Sequence, residues 1–342
     1  MAPTPPPDTR APLPGAPDRA PDLRSRLHLV QQRGELICGV HGELPGFSLR
    51  ESDGSYSGFD ADFCRVIALA VLGDADAVSF RSLDTQERFQ ALRDGEIDVL
   101  LRNSSWNLSR DITEGLDFGP VIFYDSQGIL TLEDNLTNDG DLLPGEGPLV
   151  VCVQTATTSE QHARDFLQTR EVDYDLAVFD NIDAMYAAYE NGECDAVTAD
   201  WSGLQARRLL LDDPVDHGIV PIPLLKEPLA PVVQQGDSSW RDAVSWAIFV
   251  TIQAEEFGIT SSNVSDFFAS ERPRIRTFLG LDGSLWTDLG LEPDTALLII
   301  EQMGNYGEMY ERNLGPETPL GLERGLNALW IDGGLLYAPS FE

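Results

Sequence analysis

The chain has 342 residues, about twice the length of one compact core, which predicts two domains and excludes a peptide or small disulfide knot. Hydrophobic residues make up 42%, aromatics 8% and charged residues 23%, so it is a globular protein and most of it cannot be disordered. A formal net charge of −34, with Lys226 as the only lysine, argues against nucleic acid as a partner, because phosphate binding draws on clustered cations.

That acidity reads first as a solvated surface. Adaptation to high salt is its commonest cause, since molar ionic strength screens the self-repulsion.

From Met1 to Asp22 there are eight prolines and almost no large apolar residue, a composition that predicts a semi-extended tether over residues 1–24. The start, MAPTPPPDTR, has neither a basic region nor an apolar stretch. Either a secretion signal precedes this sequence or the protein is not exported.

Gly34 to Val40 then reads as a short buried strand. Phe63, Val66, Ile67, Ala70 and Val71 fall on one face of a helix beginning near Asp60. A strand near Ala77 to Arg81, a helix near Thr85 to Arg93 and a strand at Ile97 to Leu101 complete a β-α-β-α-β cycle. A second cycle follows, with strands at Leu149 to Gln154, Asp175 to Phe179 and Ala196 to Ala199, and helices at Thr157 to Gln168 and Ile182 to Glu190.

This is an α/β pattern of two lobes, each with a mainly parallel sheet flanked by helices. Two strand-like links, near Val121 to Leu132 and Ile219 to Gln234, suggest a hinge around a central cleft. The predicted division is 25–124 for the first part of lobe I and 125–222 for lobe II. Residues 223–342 form the return hinge, the completion of lobe I and a C-terminal helical extension. The longest apolar stretch, Ala243 to Ala254, is interrupted by Ser245, Thr251 and Gln253 and falls short of a membrane span.

Catalytic and metal motifs are absent. The histidines His28, His41, His162 and His217 are far apart, and neither HExxH, GxSxG nor a glycine-rich phosphate loop occurs. The four cysteines match no zinc spacing, leaving four buried thiols or one disulfide per lobe.

The informative feature is polar groups where strands end, since open α/β sheets bind ligands outside the carboxyl ends of their strands. Ile97 to Leu101 runs into Arg102, Asn103, Ser104, Ser105 and, shortly after, Arg110. A guanidinium grips a carboxylate through two parallel hydrogen bonds and Ser105 can add donors, unless Arg110 pairs with Asp111 or Asp117 and the serines cap a helix. In the second lobe, Gln154-Thr155-Ala156-Thr157-Thr158 joins a strand to a helix start, which attracts anions. Asp200, at the next strand end, either receives an ammonium group or caps the helix beginning at Trp201. Cationic groups on one lobe facing an acid on the other fit a zwitterion.

The segments GELICGVHGELPGFS, GFDADFCRVIA, RFQALRDGEIDVLLRNSSWNLSRD, GLDFGPVIFYDSQG, GECDAVTAD, KEPLAPVV and GNYGEMYERNLGPETPLGLERGLNALW resemble the periplasmic amino-acid-binding proteins of ABC importers, solute-binding protein family 3. The likeness is greatest to the general L-amino-acid binding subfamily and runs from about Leu27 to the C-terminus. It implies the type II periplasmic-binding-protein fold, two lobes joined by hinge strands that close on one amino acid. It further implies a monomer that presents its ligand to a permease outside the cytoplasm, with no cofactor, no metal and no catalysis.

Carried over by position, the resemblance makes Arg110 and Ser105 the α-carboxylate grip with Thr157 adding a donor, and Asn103 and Asp200 the α-ammonium acceptors. Phe47, in the loop from Val40 to Ser48, becomes an apolar wall for the ligand side chain, and Arg102 a group within reach of an acidic one. The cysteine positions imply Cys38–Cys64 and Cys152–Cys194 bridges.

Two departures stand out: Ala156 occupies a turn where the family has glycine, and Trp201 replaces a small residue. The rival readings are a sensory module using the same closure and, on the same architecture, a dehydratase with His41 or Glu43 as general acid.

Overall fold

The computed structural model describes residues 25–137, 142, 147–169 and 173–342. The expected proline-rich tether, 1–24, lies outside them.

Behind a short helix α1 (Arg26–Arg33), β1 (Leu36–Val40) leads into a small antiparallel meander of β2 (Glu43–Leu44), β3 (Ser48–Arg50) and β4 (Tyr56–Ser57). Helix α2 (Phe59–Leu72) is buried along nearly its whole length, as its mostly apolar sequence requires. The chain continues through β5 (Val78–Ser82), α3 (Arg88–Arg93), β6 (Val99–Leu100), α4 (Leu108–Thr113) and β7 (Leu116–Phe118). It crosses on β8 (Phe123–Leu132).

The second lobe contains β9 (Leu149–Gln154), α5 (Thr158–Thr169), β10 (Tyr174–Phe179), α6 (Ile182–Glu190), β11 (Ala196–Asp200) and α7 (Trp201–Arg208). The return strand β12 (His217–Leu229) leads to β13 (Val232–Gln234) and to α8 (Ser238–Phe257), which packs on α2 together with the C-terminal helices.

Two five-stranded sheets result, ordered β5-β1-β6-β13-β7 and β10-β9-β11-β8-β12. In each, three neighbouring strands are parallel and the remaining pairings antiparallel. The sheets are therefore mixed, because the chain enters and leaves the second lobe on strands of opposite direction. Those crossing strands, β8 and β12, pair with each other from His217 opposite Leu132 to Leu229 opposite Phe123, with a register shift between Ile222 and Lys226.

Both disulfides implied by the resemblance are present. Cys38–Cys64 ties β1 to α2, and Cys152–Cys194 ties β9 to the turn before β11.

Phe47 requires a correction. It is 1% exposed and packs edge-on against Phe123, ring centroids 5.4 Å apart, inside the core of lobe I. Its carbonyl accepts the Asp60 N–H at the start of α2, which fixes the loop against that helix. Leu44 is the apolar residue of this loop that lines the cleft.

Candidate functional site

On lobe I the buried strand β6 ends in a tight turn. Asn103 sits there at φ 43°, a left-handed conformation that asparagine tolerates better than most residues. Its N–H donates to Asp60, while its own side-chain oxygen is buried without a hydrogen-bond partner. Asn107, not a serine, caps α4 by accepting the Arg110 N–H at 3.0 Å. Ser105 is thereby left to face Glu227, to which its hydroxyl hydrogen-bonds.

The Arg110 guanidinium donates from Nη1 to the Ser105 carbonyl at 2.9 Å and lies over the Phe89 ring. Neither Asp111 nor Asp117 pairs with it. Burial lowers its pKa, and the more distant Glu227 and Asp200 oppose that effect. A desolvated guanidinium with donors to spare is suited to a ligand carboxylate.

On lobe II, β9 passes into α5 through Ala156, at φ 59°, and Thr157. The Thr157 hydroxyl donates to the Gln154 carbonyl at 2.6 Å and accepts the Glu160 N–H at 3.2 Å, so it caps the helix while facing the cleft.

Asp200 ends β11 but does not cap α7 with its side chain; it accepts from Gln127 Nε2 at 2.7 Å. The same amide nitrogen donates to Glu227 Oε1 at 2.7 Å. Asp125, beside them, accepts from the Ser202 hydroxyl and N–H. Burial raises the Asp125 carboxyl to about 7 and pushes Asp200 well above the carboxylate range, with Glu227 and Asp125 reinforcing the effect at Asp200. Glu227 stays low: the hydrogen bonds of His162, Ser105, Gln127 and Thr158 together outweigh its burial. Among the described residues no lysine or arginine lies within ion-pairing distance of this cluster; the His162 ring does, 3.1 Å from Glu227.

These walls enclose a cavity of about 90 Å³ lined by Asn103, Ser105 and Arg110 from lobe I and by Thr157 and Asp200 from lobe II. A larger, more open chamber of about 590 Å³ adjoins it past Ser105, Arg110, Thr157 and Glu227. Trp201 lines neither; it packs against the apolar core cluster of lobe I. Arg102 reaches the cavity but donates from Nε to the Leu83 carbonyl at 2.7 Å and from Nη2 to Thr85 at 3.2 Å.

Sequence reasoning missed Gln127, Glu227, Asp125, Arg88 and Arg207. The first three face one another only through the β8 register with β11 and β12, which no local pattern announces.

The pattern of bacterial extracellular solute-binding proteins, family 3, matches residues 36–259. The general L-amino acid-binding periplasmic protein AapJ of Rhizobium johnstonii is 45% identical over 312 residues, 91% of each chain. The glutamate/glutamine/aspartate/asparagine-binding protein BztA of Rhodobacter capsulatus is 42% identical over 93% of this chain and 94% of its own. Among solved structures, a periplasmic binding protein of an ABC transporter from Brucella ovis, with glutathione bound, superposes with a TM-score of 0.88 at 41% identity. That match covers 93% of this chain and 99% of the other. The chain belongs to the bacterial extracellular solute-binding proteins, family 3.

Proposed function

We propose that this protein captures an L-amino acid between its lobes, outside the cytoplasm, and delivers it to the permease of an ABC importer. The observation that carries this reading is the pairing of unspent opposite charges across one cleft. Among the described residues Arg110 has no carboxylate within ion-pairing distance, and Asp200 belongs to a carboxylate cluster with no lysine or arginine partner, His162 alone approaching it at Glu227.

The open form offers Arg110 and Ser105 to the α-carboxylate. Closure brings Asp200 to the ammonium, with the side-chain oxygen of Asn103 as a second acceptor. Binding energy moves the open–closed equilibrium only by the ligand's preference for the closed form. An analogue lacking the amino group leaves the carboxylate cluster buried without its cation, which is the basis of selection.

The relatives support this reading: AapJ and BztA are named for amino-acid binding, and the Brucella ovis protein has glutathione bound. Two disulfides suit an oxidising compartment. Both walls of the cleft come from one chain, so a monomer is a complete binding unit. We also read the protein as a binder and not an enzyme. His41 accepts the Glu43 N–H on Nδ1, and burial with nearby Arg102, Arg207 and Arg88 holds its imidazole neutral, which suits a hydrogen-bond donor better than a general acid.

A thermal-shift panel of the twenty amino acids at low and molar salt tests the proposal. A ligand raises the melting temperature by mass action, and the salt series reports on the acidic surface. No shift with any amino acid at either salt would remove the reading.

A further inference from the structure

The α-carboxylate grip uses one arginine, yet three more line the same cavity: Arg88, Arg102 and Arg207. Arg102 is committed to protein acceptors as described. Arg88, at the start of α3, is 4% exposed, its Nε has no hydrogen-bond partner, and its guanidinium lies over Phe89. Among the described residues no carboxylate lies within ion-pairing distance of it. Asp84 and Asp200 act on it only through space, against Arg102 and Arg110.

Arg207, on α7 of the other lobe, is 7% exposed and donates from Nη1 to Asp183 at 2.9 Å. Its Nε and Nη2 have no hydrogen-bond partner, and Nη2 lies 3.6 Å from the exposed carboxylate of Glu43. His41 lies among these guanidiniums and also lines the cavity.

A buried guanidinium cannot shed its charge the way a buried lysine or carboxyl can, so it requires an anion or acceptors. On lobe I the protein leaves that requirement unmet at Arg88; on lobe II Asp183 answers part of it at Arg207, whose Nε and Nη2 keep donors to spare.

We propose that Arg88 and Arg207 form a subsite for a second ligand carboxylate, so that the cleft prefers acidic amino acids to neutral ones. This rests on the capture reading above and adds its substrate class. With Arg110 holding the α-carboxylate and Asp200 the ammonium, the ligand side chain is directed toward the remaining cations. Its carboxylate then bridges α3 of lobe I and α7 of lobe II, and the side chain itself helps to hold the closed form. A neutral side chain leaves Arg88 desolvated without an anion and the spare donors of Arg207 unused.

Calorimetry with L-glutamate and its near-isostere L-glutamine, on the wild type, Arg88→Gln, Arg207→Gln and Arg110→Ala, tests this. Charge-assisted hydrogen bonds exceed neutral ones by enough to predict that glutamate binds the wild type at least about tenfold more tightly than glutamine. In Arg88→Gln and Arg207→Gln, glutamate weakens by about tenfold or more while glutamine changes by less than about threefold, collapsing the ratio. Equal affinities for the two ligands in the wild type, or equal losses of both in Arg88→Gln, overturn the subsite. If a variant melts before titration, the wild-type ratio and the other variant decide. Tight binding of neutral amino acids that Arg110→Ala abolishes would refute the subsite and leave capture standing; no binding of any amino acid refutes both.

Discussion

Asp200 accepts a 2.7 Å hydrogen bond from Gln127, a residue 73 positions earlier, instead of capping the helix that begins at its own neighbour Trp201. The crossing strand β8, one of the two that join the lobes, thereby holds the acid toward the cleft. On the capture reading proposed above, Asp200 and its support move together with lobe II while Arg110 and Ser105 stay on lobe I.

Removing either end of this dipole leaves the other without its ligand partner. Arg110→Ala is expected to abolish detectable binding, and Asp200→Asn to weaken it by about two to three orders of magnitude, the usual loss when one side of a buried charged pair is truncated. Calorimetry at matched salt checks both, and near-wild-type affinity in either variant would reject the role given to that residue.

The pH dependence of binding follows from the same cluster. Burial holds the Asp125 carboxyl near 7 and, reinforced by Glu227 and Asp125, raises Asp200 in the same direction, while hydrogen bonds keep Glu227 low. An arriving ammonium favours the charged forms, so binding releases a proton. Affinity therefore rises with pH through the region around 7 and falls as the pH drops below it. The slope is at most about tenfold per pH unit for one proton, and Asp125→Asn flattens it. Titrations in buffers of different ionisation enthalpy count the proton; its uptake instead of release would contradict the assignment.

Asp60 carries a second consequence of burial, this time for stability. It is 3% exposed, its Oδ2 lacks a partner, and its pKa rises to about 7, burial being the main cause against the Asn103 N–H and Arg102. A carboxyl whose folded pKa lies above its unfolded value near 3.8 favours the fold most when protonated in both states. That contribution is full below about 4, declines as the pH rises toward 7 and is gone above it. Asp60→Asn keeps an acceptor for the Asn103 N–H and removes the charge, so it is expected to stabilise the protein by about 2 kcal/mol at pH 8 and very little at pH 4. Denaturant melts at the two pH values measure the difference, and a loss of stability at pH 8 would show that the charge is needed.

Features governed by neighbouring residues were legible in the sequence. The bounds of β9 and α6 agree with the apolar runs of Leu149 to Gln154 and Ile182 to Glu190, and Arg110 and Asp200 stand out because they follow buried strands. The third helix is shorter than its apolar pattern suggests, since the Asp84 side chain accepts the N–H groups of Gln86 and Glu87 and holds them in a turn. Glu227 could not be anticipated. It meets Gln127 across 100 positions, and only the antiparallel register of β8 and β12, with its shift after Ile222, sets them together. Arg88 was hidden for a different reason: a cation at a helix start looks solvated until its burial is known.

The turn before α5 offers a local test of how backbone geometry bears on lobe II. Ala156 holds φ 59°, a conformation that costs a residue with a Cβ about 1–2 kcal/mol and glycine almost nothing. Glycine also gives the unfolded chain more freedom, which returns part of that gain. Ala156→Gly is therefore expected to stabilise the protein by about 0.5–1 kcal/mol, whereas Ala156→Val, with a branched carbon in the same crowded conformation, is expected to destabilise it by at least as much. Because Thr157 closes the cap immediately afterwards through the Gln154 carbonyl and the Glu160 N–H, the relaxed turn keeps its side chain in place and leaves ligand affinity nearly unchanged. Melting curves and titrations on the two variants separate stability from affinity. A glycine variant that melts lower than the wild type would show that the unfolded-state entropy outweighs the strain at this turn.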